Sequence, residues 1–196
     1  MWLLIAVLAG YAAWMTWQYW SNKQAAQSAA LYDTVERAAQ AGDMAMLERS
    51  VADIKDKFAA TTYAQQAVLL AARVYQDKDR ATDAKTQLKW VIDQAGDEGY
   101  QALARLRLSA LLIEDKAFDE ARQYLSAKTS PAFEPLMADR LGDIDVLQGK
   151  SDEAVKLYQK AWKGLEPSAE YRRLVAVKLA ALGADPEDAP AQESKK

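Results

Sequence analysis

Four groups of carboxylates stand close enough along the chain to raise acid–base or metal chemistry. Asp143 and Asp145 are two residues apart. On a helix they point about 200° from each other, so they cannot share a substrate proton as a catalytic pair does. Glu114-Asp115 and Asp97-Glu98 fall at expected helix ends or turns. Asp77-Lys78-Asp79-Arg80 has the alternating acids of a calcium loop but lacks its glycine and distal glutamate. All four groups are expected as solvated turns or surface. Trp90 and Trp162 share helix faces with Val91, Val155 and Tyr158, which favours core packing over a ligand platform. Of the pair Arg105 and Arg107, one is expected to face solvent and the other a salt bridge; the alternative is a clamp for a peptide carboxylate.

The chain has no histidine and no cysteine. That removes Ser-His-Asp and Cys-His nucleophile systems, imidazole and thiolate zinc sites, disulfides and c-type haem attachment. It also removes a cysteine-linked lipid anchor. No glycine loop for cradling phosphate is present. No enzyme is expected, and no catalytic residue, cofactor or metal is assigned. The net charge is −3 and the pI near 5.2, with lysines and arginines scattered and Arg172-Arg173 the densest pair. Without a basic stripe, nucleic-acid binding is set aside.

The elements that would position these residues are all helical. From Ser21 onward no strand-like alternation occurs, and the pattern predicts helices over 22–41, 44–58, 62–76, 80–95, 99–114, 118–127, 133–148, 151–164 and 168–182. Gly42, Gly96, Gly99, Gly149 and Gly164 mark stops or turns, where positive φ suits glycine. Thr61 or Thr62, Ser151 and Ser168 are placed to cap helix N-termini. Pro131, Pro135 and Pro167 lie near helix entries. The polar segment 184–196, with two prolines, is expected to be disordered.

Short turns imply antiparallel hairpins, and three of them repeat. A small residue midway through the first helix is followed 12 positions later by alanine: Ala72 and Ala84, Ser109 and Ala121, Gly142 and Ala154. The small residues let the two helices approach closely while Leu, Phe and Tyr fill the space between hairpins. The pattern resembles the tetratricopeptide repeat; the region 22–58 shows a helix pair without its signature. The expected fold class is therefore all-α, a tetratricopeptide-like solenoid of helical hairpins over 21–183.

Residues 1–20 are different. They carry no charged side chain and end in Trp14, Trp17, Tyr19 and Trp20. Twenty helical residues rise roughly 30 Å, the thickness of a bilayer's hydrocarbon core. Tryptophan and tyrosine suit the headgroup level, so those four residues are expected at the membrane interface. A cleaved signal peptide is disfavoured by the missing basic n-region and by the bulky aromatics. The chain therefore predicts one N-terminal transmembrane helix ahead of the repeat domain.

Over about residues 3–183 the chain resembles the YfgM family, the ancillary subunit of the bacterial SecYEG translocon. The resemblance rests on Trp17-Gln18-Tyr19-Trp20, on Ser28-Ala29-Ala30-Leu31-Tyr32, and on Ala138-Asp139-Arg140-Leu141-Gly142 leading into Gly149-Lys150-Ser151-Asp152. It implies a single span in the inner membrane, a cytoplasmic N-terminus and a periplasmic tetratricopeptide-like domain. It further implies association with SecYEG and with the membrane-anchored periplasmic chaperone PpiD, in support of newly translocated proteins. Family members carry a short cytoplasmic segment before the span, and this chain begins inside it: either the start codon is misassigned or the segment was lost. A charged extension encoded in frame upstream of Met1 would favour the family. The alternative function is a membrane-tethered assembly scaffold unrelated to secretion.

Overall fold

The computed structural model describes residues 2–186; Met1 and most of the expected disordered tail, 187–196, lie outside them. The described residues form nine helices: α1 (Trp2–Ala41), α2 (Met44–Phe58), α3 (Thr62–Asp77), α4 (Ala81–Gln94), α5 (Glu98–Glu114), α6 (Phe118–Leu125), α7 (Glu134–Leu147), α8 (Ser151–Gly164) and α9 (Glu170–Ala181). The expected break near residue 21 is absent. The charge-free run and the alanine-rich segment after it form one 40-residue helix, because nothing between them stops it. Among the described residues no helix is long and apolar enough to cross a membrane.

The chain divides into two compact units, Met1–Gly96 and Asp97–Lys196. In the first, α1 packs on α2 and α3, and α3 on α4. Val35, Leu47, Ile54, Val68, Leu88 and Val91 form its buried interior. In the second, α5 pairs with α6, α7 with α8, and α9 lies on α8. Leu108, Leu112, Ile144, Tyr158, Val175 and Leu179 are buried there.

A common turn ends the first helix of each hairpin. Gly42, Asp79, Lys116 and Gly149 take left-handed φ values of 70°, 58°, 61° and 73°. In each case that residue's N–H reaches the carbonyl three back and the next N–H the carbonyl five back, as in Gly149→Val146 and Lys150→Asp145. The turns are spaced 37, 37 and 33 residues apart, so the region 22–58 is a repeat after all. Its signature was hidden because Val35 and Leu47 stand at the small positions, and both are fully buried. Gly183, with φ 73°, ends α9 in the same way.

Other expected punctuation is corrected. Gly96, Gly99 and Gly164 have no positive φ. Gly164 instead lies where a Cβ would meet the Pro135 ring at 2.7 Å, so its value is its size. Thr61 caps α3, accepting from the Ala64 N–H. Ser151 is the first residue of α8, behind Lys150, and Ser168 precedes Ala169 at the start of α9; neither caps. The side-chain caps beyond Thr61 are Asp43 on α2 and Asp97 on α5. The first tail residues fold back: Ala184 packs on the α8–α9 core, and Gln159 donates to the Asp185 carbonyl.

Candidate functional site

The small residues at the repeat positions lie inside the hairpins. Ala72, Ala84, Ser109, Ala121 and Ala154 are buried, as is Gly142. At Gly142 the approach is tightest: a Cβ there would stand 2.6 Å and 2.8 Å from two carbons of the Tyr158 ring. Tyr158 thus lies flat on the bare backbone of α7, which pins α8 against it.

That tyrosine also belongs to a buried ionic cluster, and here the expectation of solvated carboxylates is overturned. Asp139 on α7 is fully buried; it accepts from the Tyr171 hydroxyl at 2.6 Å and from the Lys178 ammonium at 2.8 Å and 2.9 Å. One turn on, Asp143 accepts from Lys178 at 2.7 Å, Tyr158 at 2.8 Å and Arg140 at 3.2 Å. Burial, and then the hydrogen bond to Asp143, raises the Tyr158 phenol above its ordinary range. Burial and Asp139 do the same to Tyr171. Two carboxylates, two cations and two phenols clasp α9 to α7 beside α8, and each carboxylate has protein donors. Asp145, on the other side of α7, is buried against Arg122 of α6. Asp143 and Asp145 do diverge on the helix, but each points at a neighbouring helix rather than at water. A carboxylate reads as surface in one dimension; only the partner 23 to 39 residues away makes it a core residue.

The remaining polar candidates serve packing. Arg105 donates to the Lys128 carbonyl at 2.9 Å, and Arg107 is exposed. Trp90 and Trp162 are half-buried and each carries a cation on its face, Lys55 at 5.2 Å and Arg172 at 3.7 Å. Burial lowers the Lys55 pKa. In the segment 77–80, expected as a solvated turn, Asp79 holds the turn and Arg80 pairs with Glu48 and Asp83, each at 2.6 Å. Asp97-Glu98 starts α5 and Glu114-Asp115 ends it. Among the described residues no cluster of three or more His, Cys, Asp or Glu side chains could hold a metal.

At the other end of the chain, Trp14, Trp17, Tyr19 and Trp20 are exposed on α1. Trp17 and Trp20, with Ser21, Gln24 and Ala25, form one wall of a cleft of about 650 Å³; residues 56–63, the end of α2 and the turn into α3, form the other. The turn is held by Thr61, whose hydroxyl lies 2.6 Å from that of Ser28 on α1. Sequence reasoning missed this cleft, the Ser28–Thr61 contact and Asp139. The one available signal was the run from Phe58 to Ala72, which carries no charge yet begins at a turn.

A family model described as a tetratricopeptide repeat-like domain matches residues 1–184. A Neisseria gonorrhoeae protein named ancillary SecYEG translocon subunit is 31% identical over 181 residues, spanning 92% of this chain and 87% of the relative. Proteins of the same name from Haemophilus influenzae and Escherichia coli are 27% and 28% identical, over 81% and 82% of this chain and 79% and 77% of theirs.

Proposed function

This chain belongs to the YfgM family of ancillary SecYEG translocon subunits, with a tetratricopeptide repeat-like domain, and on that premise we propose that it is a membrane-anchored, non-enzymatic adaptor. In this reading residues 1–20 span the inner membrane from a cytoplasmic N-terminus, and the helical hairpins stand in the periplasm. They bind partner proteins through the surfaces of the repeat domain, among them SecYEG and the chaperone PpiD. The anchor supplies effective concentration, holding the hairpins where translocated chains emerge.

The observation that carries the reading is the first half of α1. Among the described side chains, large apolar ones are exposed along it, from Trp2 and Val7 to Tyr11, Trp17 and Tyr19, while the second half of the same helix is buried at Ser28, Val35 and Ala38. A helix apolar all round belongs in a large core or in a bilayer. Thr16, Gln18 and six Trp or Tyr residues lower the average apolarity of the run. Aromatic residues nonetheless favour the interface, and a short apolar stretch is accommodated by local thinning of the bilayer.

The test is alkaline carbonate washing of membranes containing the full-length protein, followed by N-terminal sequencing of the pelleted chain. Retention in the pellet, with the N-terminus ahead of Trp17, is expected. Release, or a mature start near Ala29, would overturn the anchor. Copurification of SecYEG in mild detergent tests the adaptor role separately.

A further inference from the structure

We propose that the turn between α2 and α3 is a second membrane-contact element, and that the cleft between it and α1 seats a phospholipid headgroup of the bilayer. The inference rests on the anchor reading above. If Trp17 and Trp20 lie at headgroup depth, so does the opposite wall, because both walls belong to one cleft of about 650 Å³. Helix α1 runs unbroken from the span into the hairpin core, so the depth of Trp20 is carried directly to Gln24, only about 6 Å further along the axis. The Ser28–Thr61 contact ties the turn to α1 about 12 Å beyond Trp20.

The chemistry of the walls suits a zwitterionic headgroup. The turn exposes Ala60, Thr62 and Tyr63 and carries no charge from Phe58 to Tyr63. The turns at Asp43, at 77–80, at 114–116 and at Lys150 all carry charge. The turn ends at Tyr63, a partly exposed tyrosine whose ring lies 6.0 Å from that of Tyr32 on α1. At the rim, Lys57, already paired with Asp53 at 2.7 Å but still largely exposed, turns a cation toward a phosphate, while Asp56 offers a carboxylate to an ammonium. Within the cleft wall the Gln24 side-chain carbonyl is shielded from solvent and has no hydrogen-bond partner among the described residues. Phe58 and Gln24 also line the adjoining hollow beside Leu31, which extends the surface along α1.

The experiment uses the full-length protein in vesicles of phosphatidylethanolamine and phosphatidylglycerol, with two photoactivatable phosphatidylethanolamine probes, one reactive in the acyl chain and one on the headgroup. Adducts are mapped by mass spectrometry. The acyl-chain probe is expected to mark residues 5–14. The headgroup probe is expected to mark both 17–25 and 58–63, and to leave 41–43, at the far end of α1, unmarked. Ala60→Glu, which sets a negative charge against the phosphate, is expected to lose the adducts at 58–63 while keeping those at 5–14. Headgroup adducts confined to 17–25, equal labelling at 41–43, or undiminished labelling of the Ala60→Glu turn would each overturn the cleft and leave the anchor standing. An absence of acyl-chain adducts would overturn the anchor, and the cleft with it.

Discussion

At Gly142 one missing carbon decides how closely two helices meet. Gly142→Leu forces the Tyr158 ring away and should cost about 1–3 kcal/mol, as overpacking does. Lys163→Leu, on the exposed side of α8, should stay within about 0.5 kcal/mol. Equal denaturation midpoints for the two variants would contradict the hairpin contact. Asp139 makes a second test. Asp139→Leu strands the Tyr171 hydroxyl and leaves Lys178 with Asp143 alone, so the loss should stay below the roughly 3–5 kcal/mol of a buried charge left with no partner. Adding Lys178→Met should recover part of that loss in chemical denaturation. The phenols predict a pH dependence of definite sign. Their folded-state pKa values are raised, so the stability they contribute is fully present below the unfolded value of about 10. It is lost as pH climbs beyond that value toward the folded one, because the unfolded chain releases its protons first. Tyr171→Phe should flatten the alkaline fall in stability, followed by thermal melts alongside phenolate absorbance.

At the scale of the element, the hairpin turn is the constant feature and its residue type is not. Left-handed backbone costs little at Gly42 and Gly149 and more at Asp79 and Lys116. Lys116→Gly should therefore stabilise the chain slightly, by no more than about 1 kcal/mol, since its side chain is exposed. Gly149→Ala should destabilise it by a similar amount. If both changes move the melting temperature the same way, the turns are not governed by φ. The helix α1 carries a different lesson. Composition changes sharply after Trp20, yet the backbone does not, because neither the charge-free run nor the alanine-rich segment contains a stop signal.

For the whole molecule, the chain forms two units, each with its own buried interior. A deletion of 139–183 would cut through the second unit and strip Arg122 of its partner Asp145. A cut at Gly96 removes that unit entire. We expect a fragment of residues 97–186 to melt cooperatively by circular dichroism, whereas 97–138 should not. Exchanging residues 1–20 for an unrelated single-span anchor of the same orientation should preserve cross-linking to the translocon-associated chaperone. Deleting the second unit should abolish it. The opposite pair of results would make the span the recognition element.

Helix content, most helix limits, the hairpin order and three of the four repeats were legible in the sequence, because they depend on local propensity and on periodicity. Ala72, Ala84, Ser109, Ala121, Gly142 and Ala154 could be found by spacing alone. The first repeat could not, since Val35 and Leu47 solve the same packing problem with larger side chains, and Asp79 and Lys116 adopt a conformation that composition assigns to glycine. Tertiary structure alone decided the fate of the carboxylates. Burial of Asp139 is a property of Tyr171 and Lys178, more than 30 residues away, and no window of sequence contains all three. The cleft beside Trp17 and Trp20 was likewise undecidable until α1, α2 and α3 were packed, because a concave surface exists only between elements.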